Sequence, residues 1–421
     1  MSAKKSLGDL AIFGGHPAFA EALHVGRPNV GSKELVLERL SDMLDRRWLT
    51  NAGPLVRDFE ARLAEYLGVR HCVAMCNATV ALEIAIRALG MEGEVIVPSF
   101  TFVATAHALQ WQEITPVFCD IDPRTHTIDP ARVEAMLTPR TSGIIGVHTW
   151  GRACDVEALA DISRRHGLRL MFDAAHALGC SGRGRRIGSF GQAEVFSFHA
   201  TKVLNTFEGG AVATNDDDLA AKMRLMKNFG FAGYDEVSYI GTNGKMSEPA
   251  AAMGLVGLDS LPGFIAHNRR NHEAYRAGLE KVPEIRMLPP PAGEDSNFHY
   301  VVAELDQEVS GISRDHLVEL LWAERVLARR YFWPGCHRME PYRSYYPHAR
   351  LLLSHTEEVA ARVVVLPTGT AVSVGQVDEV CALIRFAVAH GRAISERRRA
   401  GIGAAVGSSP PGGAGEAAEH Q

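Results

Sequence analysis

Residues 168–202 read LRLMFDAAHALGCSGRGRRIGSFGQAEVFSFHATK, two short apolar runs joined by a glycine- and arginine-rich connection. The first run ends in Asp173, and the second passes directly into His199, Ala200, Thr201 and Lys202. Short apolar runs bounded by glycine and turn residues suit strands buried on both faces. The same texture continues outward in both directions: HCVAMC, EVIVPS, TPVFCDID and SGIIGVH precede this stretch, and GGAVATN follows it. Seven strand candidates therefore lie between His71 and Asn215, alternating with helical patterns. That alternation predicts an α/β fold, with a large domain built on a mostly parallel seven-stranded sheet covered by helices. One covering segment, TVALEIAIRALG, is apolar nearly all round except at Glu83 and Arg87, which share a stripe four residues apart; it should be largely buried.

A chain of 421 residues with 46% hydrophobic content has room for this domain and a smaller one. The texture changes after GTNGKMSEPAAAMGLVGLDSL, where the strand candidate HYVVAEL and later helices follow. The expected division is an N-terminal segment over 1–54 lining the active site, a large domain over 55–255, a smaller C-terminal α/β domain over 256–395 and a tail over 396–421. The tail is rich in Gly, Ala, Ser and Pro, has little to bury and is expected to be disordered. No internal repeat is visible, and no segment reads as a bilayer span, so the cytoplasm is the default location. Seven cysteines without a CxxC pair argue against structural disulfides and a structural metal. The formal net charge of -5, from 44 basic and 49 acidic residues, gives no general attraction to nucleic acid or membranes. Arg183, Arg185 and Arg186 are the best candidate for a local basic patch, which suits a solvated loop or a contact to a substrate diphosphate.

Asp173 stands at the carboxyl end of a buried strand, where open α/β sheets bind their ligands. Burial drives a carboxylate towards neutrality unless a cation compensates it. The protonated ring nitrogen of pyridoxal 5'-phosphate (PLP) is such a cation; a helix N-cap is the plainer use of an Asp in DAAHA. Lys202, between two apolar strands, suits an amine kept desolvated and nucleophilic, and Gly209 and Gly210 allow close backbone approach beside it. Asn77, Ala78 and Thr79 open the buried helix, where a phosphate seat and ordinary capping fit equally. Phe102, beyond EVIVPS, suits either core packing or stacking on a flat ring.

The segments TNAGP, PSFTFVAT, PVFCDID, FDAAHALG, FSFHATK, EGG and GTNGKMSE occur in this order. Together they resemble the DegT/StrS-type sugar aminotransferases, a branch of the fold-type I PLP enzymes, over about residues 25–395. The resemblance implies PLP as cofactor, held as a Schiff base on Lys202, with Asp173 at the pyridine nitrogen and His176 beside the ring hydroxyl. It implies Phe102 on the ring and Ala78, Thr79 and Ser197 around the phosphate, although many relatives have Gly where this chain has Ala78. Asn243 corresponds to a residue reaching the phosphate of the neighbouring subunit, so a homodimer with shared active sites is implied; a turn Asn before Gly244 is the local alternative. Trp48, Thr50 and Asn51, with Tyr331 and His337 of YFWPGCH, resemble segments on the sugar side of the pocket, and Lys245 is a candidate for a substrate carboxylate or phosphate. The implied substrates are an amino-acid donor, L-glutamate, and a nucleotide-linked keto-sugar. CNATVALEIAIRALG, TAHALQW, VHTWGRACDV and TNGKMSEPAAAMG look most like transaminases forming dTDP-4-amino-4,6-dideoxyglucose in deoxysugar pathways, which often decorate antibiotics. A 3-keto-sugar or inosose aminotransferase is the alternative. Sugar dehydratases of this fold carry His at the lysine position, and a regulatory homologue would not need Lys202, Asp173 and the phosphate seat together.

Overall fold

The computed structural model describes residues 4–403. The seven predicted strands are present: β1 His71–Met75, β2 Glu94–Pro98, β3 Thr115–Cys119, β4 Thr141–Val147, β5 Arg169–Asp173, β6 Ala193–Ser197 and β7 Gly210–Thr214. They form one sheet in the order β1-β7-β6-β5-β4-β2-β3. The pairs from β6 to β3 are parallel, whereas β7 runs antiparallel to both β1 and β6. The chain passes from β6 to β7 through residues 198–209 and enters β7 at Gly210. Gly210 is required there, because a Cβ would lie 2.6 Å from the backbone of Asn77 and Ala78. The helix Ala78–Leu89 buries seven of its residues. Glu83 and Arg87 share its least buried stripe, although Arg87 donates to Gln112 Oε1 at 3.1 Å.

A second core surrounds an antiparallel sheet of Ile285–Met287, Val301–Leu305 and Val363–Leu366. The helices Arg314–Ala323 and Val374–Ala389 pack there, as do Leu10, Ile12, Phe19 and Leu23 from the N-terminus. The first residues thus complete the small domain, with Leu23–His24 pairing in parallel with Val326–Leu327.

The helix Glu248–Leu279 joins the two cores. Residues Ala250 to Phe264 contribute to the large-domain core, while Tyr275 and Leu279 belong to the small one. Position 256, the expected boundary, falls inside this continuous helix. Contrary to the sequence reading, the helix is long and apolar enough to cross a bilayer by length and composition. Its apolar character instead reflects burial along its length, by the large-domain core as far as Phe264 and by the small one at Tyr275 and Leu279. The expected tail also begins too early, because the helix Gly391–Arg399 buries Ile394 and Ser395 and pairs Arg398 with Glu319 at 2.7 Å. Residues 404–421 lie outside the described residues. All seven cysteines are free.

Candidate active site

The carboxyl ends of β4, β5 and β6, the amino end of the helix Ala78–Leu89 and parts of the small domain enclose a cavity of about 340 Å³. Asp173 is the last residue of β5 and points into it. Its carboxylate accepts from Thr105 Oγ1 at 2.8 Å and from the Ala175 N–H at 3.0 Å. Burial still raises its pKa above the ordinary range, against the opposing pull of those two donors and of Lys202.

His176 accepts the Trp150 N–H on Nδ1 at 3.3 Å, which leaves its proton on Nε2. Burial, reinforced by the charge of Lys202, holds its pKa well below the usual value, so the ring is neutral and can donate one hydrogen bond. Trp150 and Phe332 lie nearly parallel to that ring, at 5.9 and 5.7 Å between centroids. Lys202 opens onto the cavity, and its Nζ donates to Tyr300 Oη at 3.3 Å. Desolvation lowers its pKa, with Tyr331 and Asp173 opposing, so more of the amine is neutral than in a solvated lysine.

Ala78, Thr79 and Ser197 line one end of the cavity. Asn77 caps the helix itself, its side chain accepting from Val80 N at 2.8 Å, and the helix N-terminus directs N–H groups and a positive dipole end at this position. Phe102 lies on the rim with 48% of its surface open. Tyr331 and Phe332 bring the YFWPGCH segment to the opposite wall.

Other predicted residues stand elsewhere. His337 does not line the cavity: it is buried, with Nδ1 2.7 Å from Ser99 Oγ and Nε2 2.7 Å from Glu357 Oε1. One ring nitrogen fastens its segment to the loop before Phe102, and the other to the helix Ser354–Arg362. Trp48, Thr50 and Asn51 are exposed and do not reach their own chain's cavity; Trp48 Nε1 donates to the Thr50 carbonyl at 2.7 Å. Asn243 is likewise exposed and outside it, and Lys245 donates to Asn228 Oδ1 at 2.9 Å. The three clustered arginines are absent from the lining. Arg183 faces Asp155 and Glu157, Arg185 lies over Phe190, and Arg186 lies over Tyr66.

Sequence reasoning missed Thr105, Trp150, Asn297, His299 and Tyr300. The run NFHY before the strand Val301–Leu305 carried a signal, since four polar or aromatic groups entering a buried strand need partners there. Trp150, buried at φ 62°, carried none that a sequence displays.

The sequence profile of the DegT/DnrJ/EryC1/StrS aminotransferase family matches residues 31–385. A dTDP-4-amino-4,6-dideoxy-D-glucose transaminase of Shigella dysenteriae is 36% identical over 363 residues, covering 86% of this chain and 98% of the relative. Among solved structures, DesI, determined in the presence of its TDP-sugar product, is 53% identical with a TM-score of 0.90, covering 94% of this chain and 100% of that one. DesV of S. venezuelae, in complex with a ketimine intermediate, is 30% identical with a TM-score of 0.79, covering 85% of this chain and 95% of that one.

Proposed function

This chain belongs to the DegT/DnrJ/EryC1/StrS aminotransferase family, and on that premise we propose that it uses PLP to move an amino group from L-glutamate to dTDP-4-keto-6-deoxyglucose, giving dTDP-4-amino-4,6-dideoxyglucose. The observation that carries the reading is the convergence on one cavity of a depressed-pKa amine, a buried carboxylate without a cation, a neutral imidazole and a helix N-terminus. These groups fit PLP: Lys202 for its aldehyde, Asp173 for the ring nitrogen, His176 for the ring hydroxyl, and Ala78, Thr79 and Ser197 for the phosphate. When bound, the cofactor supplies an electron sink for the substrate's C–H bond. The protein supplies the rest. Asp173 keeps a positive charge at the ring nitrogen, and the Thr105 and Ala175 donors hold its two oxygens in place. Lys202, freed as an amine, takes the proton from one carbon and returns it to another, a transfer that its neutral fraction at pH 7 permits. Tyr300, Tyr331 and Phe332 line the cavity, with Trp150 packed against Tyr300 and Phe332, and these walls limit water around that transfer.

The choice of sugar rests on the Shigella relative's name and on DesI, whose structure was determined with a TDP-sugar. We further propose a cytoplasmic homodimer. Seven free cysteines suit a reducing compartment. Exposed Leu35, Leu37, Leu44 and Leu49, with Phe229, Phe231 and Ile240, offer apolar surface flanking the outward-facing Trp48–Asn51 and Asn243 segments. The test is to incubate the enzyme with glutamate and, separately, the dTDP-4-keto, dTDP-3-keto and inosose substrates, reading the position of the new C–N bond by NMR. Preferred amination of either of the last two would replace the proposed substrate.

A further inference from the structure

One phenol in the cavity has no place in the reaction as described. Tyr300 precedes the small-domain strand Val301–Leu305, yet its Oη lies 3.3 Å from Lys202 Nζ on the large domain. Its ring is wedged among His176 at 4.3 Å, Trp150 at 5.5 Å and His299 at 5.0 Å, the last edge-on. The backbone beside it is pinned to the same loops. His299 Nε2 donates to the Thr201 carbonyl at 2.7 Å, while Asn297 Nδ2 donates to the carbonyls of His176 and Leu178 at 2.9 and 3.0 Å. Burial lowers the His299 pKa to about 4, so this imidazole is neutral and its Nε2 proton is committed to Thr201. The segment NFHY is thus a clasp closed over both sides of Lys202.

We propose that Tyr300 is a positioning side chain for the proton transfer, whose Oη accepts from Lys202 Nζ in its ammonium form and thereby holds that nitrogen in one place between the two carbons it serves. The ammonium spends one N–H on Oη and keeps two for the carbon that takes the proton, and the fixed Oη selects one of the many directions a four-carbon stem allows. Only one proton moves: it passes from carbon to Nζ and from Nζ to the second carbon, while nitrogen cycles between NH2 and NH3+. Tyr300 keeps its own proton throughout, since burial raises its pKa far above neutrality. It therefore acts as an acceptor and orienting group, not as a base.

The inference rests on the PLP aminotransferase reading, and its test separates the two. Tyr300→Phe keeps the ring packing and removes only the oxygen. In the holoenzyme, kcat should fall about tenfold to hundredfold, with KM for both substrates within about twofold. The second readout uses the cofactor-free protein. PLP is added across a pH series, the product is reduced with borohydride, and capture at Lys202 is measured by peptide mass. Capture needs the neutral amine, and Oη stabilises the ammonium form, so the variant's midpoint should move to lower pH by about one unit. Asp173, Tyr331, His176 and His299 also face this amine, and they are the same in both proteins. A fall in kcat with an unmoved midpoint would assign Tyr300 to packing and overturn the proposal. A moved midpoint with unchanged kcat would overturn its positioning part, and no change in either would end it altogether. If the parent protein neither captures PLP nor transaminates, the aminotransferase reading fails first and takes this inference with it.

Discussion

Asp173 carries a cost that the protein accepts for its chemistry. Its two donors satisfy the carboxylate's geometry but do not neutralise its charge, and its pKa stays raised. In the cofactor-free protein, the stability tied to this group is fully present below the ordinary carboxylate value and is lost as pH rises through the raised one. Asp173→Asn can keep both contacts, with Oδ1 accepting from Ala175 and Nδ2 donating to Thr105, whose own hydroxyl proton then turns to Thr101 Oγ1 at 3.0 Å. Melting scans of the cofactor-free proteins should show this variant more stable than the parent, with the gap widening as the pH rises above the ordinary carboxylate value. The same substitution should lower kcat by about a hundredfold or more while PLP still binds, because an amide cannot hold the ring nitrogen protonated. Near-parental turnover would show that another group supplies the charge. Lys202→Ala should abolish both visible absorbance and transamination with little change in melting temperature; undiminished turnover in that variant would remove Lys202 from its role. Asp173 was legible because it ends an apolar run and Lys202 because it lies between two apolar strands, and the resemblance supplied the roles of both. Tyr300 was not, since a tyrosine before a strand is ordinary and its partner lies 98 positions away in sequence.

The strands were readable because strands covered on both faces become unbroken apolar runs, as EVIVP and GAVAT show. The reversed direction of β7 was not written in any residue of the strand, since a strand buried on both faces reads the same whichever way it runs. The segment YFWPGCH shows the limit of reading by resemblance. Its beginning reaches the cavity through Tyr331 and Phe332, while His337 anchors its end between Ser99 and Glu357. His337→Ala should remove two hydrogen bonds, one to a carboxylate, and destabilise the protein by about 2–4 kcal/mol. It should also raise KM for the sugar more than it lowers kcat, because the wall loosens while Lys202 is untouched. Desolvation holds the His337 pKa below 6.5, so the neutral ring is the form that stabilises the fold. That contribution is present above about pH 6.5 and is lost as pH falls through the lowered pKa; denaturation curves of parent and variant should therefore converge in acid. Unchanged KM with unchanged stability would show that the anchor is idle.

At the scale of the whole molecule, the helix Glu248–Leu279 makes the two domains share one rod, and its buried Glu248 reaches back to cap the helix Pro54–Leu67 through Leu55 N and Val56 N, both at 2.9 Å. That cap sets where the preceding Trp48–Asn51 segment leaves the surface, and it leaves outward, away from its own cavity. Asn243, just before the same helix, also faces outward. The proposed homodimer accounts for both features: a second copy would bring its Trp48–Asn51 and Asn243 segments to this pocket and cover the exposed leucines and phenylalanines beside them. The consequence can be tested by complementation. Asn243→Ala should weaken PLP affinity, and Lys202→Ala should be inactive. When the two are unfolded together and refolded as a mixture, half of the dimers formed at random are mixed, and one of the two sites in each mixed dimer combines an intact Lys202 with the partner's intact Asn243. Activity should then recover to roughly a quarter of the parent level at a PLP concentration where neither variant alone is active. Full-length chains that refold to active parent enzyme under the same conditions, but give no recovery on mixing, would place the whole site within a single chain and leave the exposed apolar surface to some other contact.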